Sequence, residues 1–236
     1  STMQPAREDQ PQASSSHRAI MVADLVKFSS LMQEDKDAGV KLLAAFEKVV
    51  RSEIEGCANA GIAARVVKWL GDGALGTVLD VENAVKCALR IQRRAKESVP
   101  ALKIRIGIHD GPVIDFAHKQ DAQCVQDVAG HAVNLTFRIE QYADSGGIAI
   151  TKHAFDLVQG HEIMWHDERS LKKARWWRGF VSVKNIRGWT SLYLIAPTGW
   201  SPSVWKWVRW IGRKLFPWKV EWKPRAWKVV KWLGVG

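Results

Sequence analysis

Cysteine is scarce in this chain, and the few cysteines present match no metal-binding or disulfide pattern. The 236 residues contain three of them, Cys57, Cys87 and Cys124, which are scattered and odd in number. A disulfide framework or a zinc site is therefore not expected, and a reducing compartment is favoured. The chain also lacks an apolar run long enough to cross a bilayer and a recognisable signal peptide. Together these absences predict a cytoplasmic protein.

Acidic residues are almost missing from residues 197–236. This stretch holds nine Lys or Arg residues, one acid and eight of the thirteen tryptophans, so it carries most of the net charge of +11. Trp and basic residues on amphipathic stripes are typical of in-plane membrane anchors. We therefore expect the tail either to bind an anionic membrane surface, at the inner face of the membrane, or to pack against its own domain or a partner. Nucleic-acid binding is disfavoured, because the basic charge does not extend into the rest of the chain.

Composition and periodicity divide the chain into a polar arm (1–17), a central domain (18–196) and a basic Trp-rich tail (197–236). The arm is predicted to be disordered. In the central domain the pattern predicts, in order, a strand at 18–23, a helix at 35–60, a hairpin at 65–78, a helix at 81–98, strands at 102–108 and 111–114 flanking a turn, a helix at 130–142, a strand at 147–151, a short helix at 152–159 and closing strands within 181–195. This order predicts an α+β fold with a ferredoxin-like βαββαβ core and helices on one face of an antiparallel sheet.

Two aspartates lie where strands are predicted to end. Asp24 closes the apolar run that begins at Arg18, and Asp72 lies in the Gly71-Asp72-Gly73 turn of the hairpin. Carboxylate oxygens are ligands that Mg²⁺ prefers, and two ions close together can activate a hydroxyl and neutralise a leaving phosphate. Taken singly, each aspartate is also explained by ordinary turn chemistry.

Four sequence blocks, in order, give these aspartates a context. They are Val67–Gly73, Arg105–Val113, Asp127–Glu140 and the closing pair Val183–Ile186 with Ser191–Ile195. With Asp24 ahead of them, the blocks resemble the catalytic domain of class III nucleotidyl (adenylyl and guanylyl) cyclases over residues 18–196. The resemblance implies conversion of a nucleoside triphosphate to a 3′,5′-cyclic nucleotide and pyrophosphate.

The resemblance also assigns roles. It implies that Asp24, Asp72 and the backbone carbonyl of Leu25 hold two divalent cations, Mg²⁺ or Mn²⁺. Asn134 and Arg138 are four residues apart and thus on one helix face; the resemblance makes the amide orient the ribose and the guanidinium meet charge on the α-phosphate. These catalytic groups come from two protomers in the family, which implies a homodimer with shared active sites.

Base recognition is implied at two further positions. Lys68 and Asp127 match the residues that read the base, and Lys with Asp is the pairing associated with adenine, so ATP is the expected substrate. Lys184 matches the lysine that reaches the triphosphate tail, although Asn185 follows it where the family usually has Gly.

Two alternatives stay open at this point. Trp69 and Phe137 are bulky for their places and can narrow the base pocket, as a pyrimidine cyclase making cyclic UMP or CMP in anti-phage defence would require. A catalytically silent domain that binds nucleotide or a partner is the second alternative. His109 and His131, which lie inside the blocks, are interpreted as structural or surface residues rather than catalytic bases.

Overall fold

The computed structural model describes residues 14–120, 123–158, 177–182 and 189–195. The elements are β1 (Ser14–Leu25), α1 (Phe28–Glu34), α2 (Lys36–Asn59), β2 (Ala64–Trp69), β3 (Gly73–Val78), α3 (Val81–Ser98), β4 (Ile104–Gln120), β5 (Gln123–Ala129), α4 (His131–Glu140), β6 (Ile148–Thr151), α5 (Lys152–Asp156), β7 (Trp177–Ser182) and β8 (Trp189–Ile195). The basic tail 197–236 and most of the N-terminal arm lie outside this part of the chain. No helix within the described ranges is long and apolar enough to cross a membrane.

The strands form one sheet in the order β2-β3-β1-β4-β6-β8-β7, with β5 paired to β4. The first four of these strands, with α2 and α3 as the connections, are the predicted ferredoxin-like βαββαβ core. All pairs are antiparallel except β4 and β6, which run parallel. The α+β fold class is thus confirmed.

Helices cover both faces of the sheet, so the expectation of helices on one face was wrong. Residues Ala19, Met21 and Ala23 of β1 pack on one side, in a core that also takes apolar residues of α2 and α3. The alternate residues Ile20 and Val22 belong to a separate core that includes Ala132 and Val133 of α4. Alternation along β1 is the physical reason, since successive side chains of a strand point to opposite faces and both sets here are apolar.

The predicted turn near His109 does not exist, because β4 runs without a break from Ile104 to Gln120. The turn was expected at residues 109–110, yet His109 and Asp110 pair with Ile20 and Ala19 of β1. A polar side chain of this strand is paired across to β1: Oδ2 of Asp110 lies 2.5 Å from Nε2 of His17. The strand β1 likewise begins at Ser14, so residues 14–17 belong to the sheet and not to the arm.

Other elements match closely or were missed. The helix predicted at 81–98 is observed over Val81–Ser98, and Asp80 caps it by accepting a hydrogen bond from Asn83 N. The helix α2 similarly begins after Asp35, whose side chain accepts from Ala38 N at 2.9 Å. The short helix α1 and the strand β5 were not predicted.

The approach of α4 to β4 depends on Gly107. A Cβ atom there would lie 2.9 Å from Cα, Cβ and N of Glu140, which is closer than real side chains permit. We expect Gly107→Ala to lower the free energy of unfolding by about 1–3 kcal/mol, because α4 must move away from the sheet. Gly56→Ala is the matched control: a Cβ on Gly56 would meet nothing within 4 Å in α2, so stability should be unchanged or slightly raised. Urea unfolding of both variants tests this, and equal stabilities would contradict it.

Candidate active site

The two predicted aspartates lie side by side at one end of the sheet. Asp24 is near the end of β1, where it pairs in register with Gly73 of β3, directly after Asp72. The N–H of Leu25 donates to the carbonyl oxygen of Asp72 at 2.9 Å. The turn itself needs Gly71, whose φ of +74° is in the left-handed region that glycine adopts without strain. Backbone geometry therefore holds both carboxyl groups near one another.

Arg105 reaches the same place from β4. It is the register partner of Asp24 in the β1–β4 pair, and its Nη2 donates to Oδ2 of Asp24. Its Nε lies 2.8 Å from Oε1 of Glu140, in an ion pair whose N–H does not point along the contact. Glu140 is the last residue of α4 and is 5% exposed. A charged chain of three side chains thus joins the end of β1 to α4.

The electrostatics favour a further cation at this position. Burial raises the pKa of Asp24 above its usual value and the Asp72 charge raises it further, whereas Arg105 acts to lower it. Burial also raises the pKa of Glu140 to about 7. The Arg105 charge acts to lower this pKa, and the charges of Asp24 and Asp72 act to raise it. Asp24 and Glu140 therefore share the Arg105 guanidinium, and the charge of Asp72 acts on both carboxyl groups. Hard divalent cations suit such an arrangement of oxygen donors.

The protein alone does not offer a complete metal cage in this region. Within the described ranges, no group of three or more His, Cys, Asp or Glu is arranged to hold a metal ion. The two aspartates would have to share the ion with backbone oxygen, water or the phosphates of a ligand. That donor set is typical of Mg²⁺, which is usually bound by one or two carboxylates together with substrate phosphates.

The raised pKa of Glu140 predicts a pH-dependent stability in the metal-free protein. The folded state holds this proton more tightly than the unfolded state, so the free energy of unfolding should fall as pH rises from about 4.5 to about 7. Asp24 contributes in the same sense. Glu140→Gln should reduce this pH-dependent change in the free energy of unfolding by at most about 3 kcal/mol, since one pKa unit corresponds to 1.36 kcal/mol. Urea unfolding in the presence of a chelator measures it. Exposed Glu97→Gln is the control, and an unaltered pH slope in Glu140→Gln would contradict the prediction.

Lys68 and Asp127, the implied base-reading residues, contact each other directly. Lys68 Nζ donates to Oδ2 of Asp127 at 2.6 Å, while Oδ1 accepts from the N–H of Val128 at 2.7 Å. The side chain of Asp127 is 14% exposed and that of Lys68 is 39% exposed. The pair is therefore held from the Asp127 side and open to a ligand from the Lys68 side.

A β-bulge in β2 determines where Lys68 points. The register with β3 shifts between Val66 and Lys68. Val66 and Trp69 both pack against the core that contains α2, although a strictly alternating strand would put them on opposite faces. Val67 instead belongs to the core beneath α4. The added residue thus leaves Lys68 on the face opposite Trp69.

Trp69 consequently does not narrow a pocket at Lys68, which corrects the expectation that it could. Its ring lies edge-on to Phe46 with centroids 6.1 Å apart, and the guanidinium of Arg51 lies 5.0 Å from its centroid. Both contacts are with α2. Phe137, the second bulky residue, packs at the edge of the core beneath α4.

Asn134 and Arg138 occupy the outer part of α4. Asn134 is exposed and Arg138 half-buried. In the described part of the chain, no hydrogen bond or ion pair joins the side chain of either residue to Asp24 or Asp72. The structure therefore brings together the two aspartates, and separately Lys68 with Asp127, without linking Asn134 and Arg138 to the aspartates. Lys184 lies in the range 183–188, outside the described residues.

The two histidines of the blocks have different surroundings. His109 Nδ1 lies 2.9 Å from the hydroxyl of Thr151, and burial, with the nearby His153 charge, lowers the His109 pKa to about 4. A neutral, buried imidazole that contacts a hydroxyl group agrees with the interpretation of His109 as a structural residue. His131 is exposed at the start of α4.

Sequence reasoning missed Arg105 and Glu140 as members of this site. Both residues stood inside the recognised blocks but were given no role. A register of β1 against β4 would have found Arg105, because it pairs with Asp24. Glu140 could be placed only by the close approach of α4 to Gly107, which the sequence does not reveal.

Sequence comparison identifies relatives of the chain. A sequence model of the adenylate and guanylate cyclase catalytic domain matches residues 11–190. A protein of Rhizobium meliloti (strain 1021), provisionally named adenylate cyclase 3, is 31% identical over 192 residues. That match covers 78% of this chain and 28% of the relative, so the chain spans little more than a quarter of the length of the curated relative.

Structural comparison gives the same group. The adenylyl cyclase CyaB from P. aeruginosa superposes with a TM-score of 0.63 at 18% identity, covering 81% of this chain and 98% of that one. The guanylyl cyclase Cya2 gives a TM-score of 0.62 at 21% identity, with 81% and 97% coverage. Likeness at these identities establishes the fold. Since one of these proteins is an adenylyl and the other a guanylyl cyclase, the fold does not select the base.

Proposed function

The chain belongs to the adenylate and guanylate cyclase catalytic-domain family, and from that premise we propose that it converts ATP to 3′,5′-cyclic AMP and pyrophosphate. The observation that carries the choice of ATP is the Lys68–Asp127 pair at 2.6 Å. Its carboxylate can accept from the exocyclic amine of adenine and its ammonium can donate to a ring nitrogen. Guanine carries a carbonyl oxygen in place of that amine, and this oxygen would face the carboxylate unfavourably.

The reaction joins the 3′-hydroxyl of the ribose to the α-phosphate of the same molecule. Asp24, Asp72 and the carbonyl of Leu25 would hold two divalent cations, Mg²⁺ or Mn²⁺, which supply activation of the hydroxyl and neutralise the leaving pyrophosphate. The chain's own residues do the rest by positioning and charge. Arg105, already beside Asp24, provides a guanidinium at the edge of the site where the anionic phosphates would lie.

We propose that each active site is completed by a second copy of the chain. Asn134 would orient the ribose and Arg138 would meet the charge that develops on the α-phosphate, by the roles that the resemblance implies. Neither contacts the aspartates of its own protomer in the described part of the chain, which supports their service in the partner's site. A symmetric homodimer would then contain two sites. Lys184 remains the proposed contact of the triphosphate tail.

Turnover with each of ATP, GTP, UTP and CTP, in Mg²⁺ and in Mn²⁺, tests the proposal. We expect ATP to give the highest kcat/KM by at least about tenfold, because a mispaired base leaves Lys68 or Asp127 unsatisfied. A preference for UTP or CTP would replace ATP with a pyrimidine as substrate. Absence of a cyclic product from all four would favour the silent nucleotide-binding alternative.

A substitution at Lys68 separates base recognition from chemistry. Guanylyl relatives usually carry Glu at this position, so Lys68→Glu should lower kcat/KM for ATP by about 100-fold, since it removes a donor and adds a repelling carboxylate beside Asp127. The ratio of GTP to ATP turnover should rise. Lys41→Glu, an exposed position of α2, makes the same charge change away from the site. Unchanged ATP turnover in Lys68→Glu would remove the base-reading role.

A further inference from the structure

Two cysteines meet in the interior, away from the aspartate site. Cys57 of α2 and Cys87 of α3 are free thiols, 1% and 0% exposed. Cys87 lies one helical turn before Arg90 on α3, and the head group of Arg90 contacts the Cys57 sulfur. The two thiols are close enough for each to shift the pKa of the other. Buried cysteines are usually small apolar fillers. This pair differs because a charged group reaches one of its sulfurs.

That charged group is Arg90, which is held in place by Glu53. Its Nη2 donates to Cys57 Sγ at 2.9 Å and its Nε donates to Oε2 of Glu53 at 3.0 Å. Arg94 donates to the other oxygen of Glu53 at 2.9 Å. Glu53 therefore orients the guanidinium that faces the sulfur. A guanidinium beside sulfur stabilises a thiolate, which is the reactive form of cysteine.

The two thiols consequently differ in acidity. The pKa of Cys57 is lowered to about 6, first by the hydrogen bond from Cys87 and then by Arg90, against the effect of burial. The pKa of Cys87 is raised, first by that same hydrogen bond and then by burial. The opposite directions of the two pKa shifts favour Cys57 as the thiolate and Cys87 as the neighbouring thiol. Attack by a thiolate followed by closure with a second thiol needs this division.

We propose that Cys57 and Cys87 form a peroxide-sensitive thiol pair that closes into a disulfide between α2 and α3. The Cys57 thiolate attacks one oxygen of hydrogen peroxide, the O–O bond breaks, and the departing hydroxide takes from solvent the proton that Cys57 released on ionising, which gives water. Cys57 is then a sulfenic acid. The Cys87 sulfur attacks it, the S–O bond breaks, and a second water leaves with the Cys87 proton. Two thiols are oxidised by two electrons and one peroxide is reduced to two waters.

The proposal places the entry of peroxide beside Arg90. Hydrogen peroxide is little larger than water, and the side chain of Arg90 is 32% exposed while its head group touches Cys57. The partly exposed Arg90 side chain is therefore the described group that contacts both solvent and the buried Cys57 sulfur. Its charge would also stabilise the hydroxide that leaves.

The experiment uses the full chain carrying Cys124→Ser, so that Cys57 and Cys87 are the remaining thiols. Peroxide is added, and free thiols and intact mass are followed under denaturing, non-reducing conditions. We expect both thiols to disappear together, with the mass lower by two hydrogens and restored by dithiothreitol. Adding Cys87→Ser should stop the reaction at a Cys57 sulfenic acid that a cyclic 1,3-dione traps. Adding Arg90→Gln should slow the oxidation at least about tenfold, whereas Lys96→Gln, an exposed charge on the same helix, should not.

Three results would overturn the proposal. The first is thiols that persist at a peroxide concentration that oxidises Cys124 in a Cys57→Ser, Cys87→Ser variant. The second is oxygen added to Cys57 while Cys87 stays free. The third is an unchanged rate in Arg90→Gln when its far-ultraviolet circular dichroism matches that of the parent.

Discussion

Replacing Asp72 with alanine should lower turnover by at least about a thousandfold, because the site loses one of two carboxylates proposed to hold the catalytic cations. The fold should survive. Asp72 contributes structurally through its backbone carbonyl, which accepts from Leu25 N–H at 2.9 Å and is kept in the variant. Its removal also relieves repulsion at Asp24, whose raised pKa owes part of its rise to Asp72. Steady-state cyclase assays and thermal unfolding measure both effects.

Asp156→Ala is the matched control for this prediction. Asp156 is an exposed aspartate of α5 that pairs with Lys152, and such surface pairs contribute little to stability. Its loss should leave turnover within about twofold of the parent. Near-parental turnover in Asp72→Ala, with ATP and Mg²⁺ saturating, would remove the two-metal assignment.

Mixing two inactive proteins should restore activity if the active site is shared. Asp24→Ala and Arg138→Ala should each be nearly inactive alone, since every site in either homodimer lacks one group. In a heterodimer one site lacks both groups and the other lacks neither. Random exchange of equal amounts makes half of the dimers mixed, so about one quarter of the parental turnover should return, because a symmetric dimer has two sites.

A chain carrying both substitutions is the control for this mixing. Combined with either single variant, it cannot form an intact site, and activity should stay at the background level. Analytical ultracentrifugation of each variant verifies that the dimers form. If dimers exchange and no mixture recovers activity, Arg138 serves the aspartates of its own chain and the shared-site proposal fails.

The sequence predicted the parts of the fold that local rules determine. The helix α3 could be bounded to the residue because an N-cap aspartate and an unbroken apolar stripe lie within a few turns of each other. The strand β4 could not, because the sequence indicated a turn at residues 109–110 and only the pairing of His109 and Asp110 with β1 keeps the strand continuous. The failure at β4 was therefore non-local, whereas the short helix α1 was missed because it has no side-chain cap at its start.

The site divides in the same way. Asp24 and Asp72 were found because each follows from a strand end or a turn, and the blocks around them are diagnostic. Arg105 and Glu140 were not found, because their role depends on which strands are neighbours and on how closely α4 approaches the sheet. The orientation of Trp69 was misjudged because a bulge cannot be read from alternation alone.

That bulge has a consequence for how selectivity could be moved between relatives. The proposed contact of Lys68 with the base depends on the number of residues before it as well as on its identity, because Val67 changes the phase of the strand. In a hairpin without the bulge, a lysine placed at this position would be one residue out of phase. Its ammonium would then lie on the face that packs against α2, and the indole of the following Trp would lie on the opposite face. A transfer of the proposed base preference would therefore have to include the whole segment from Val66 to Trp69, with its extra residue.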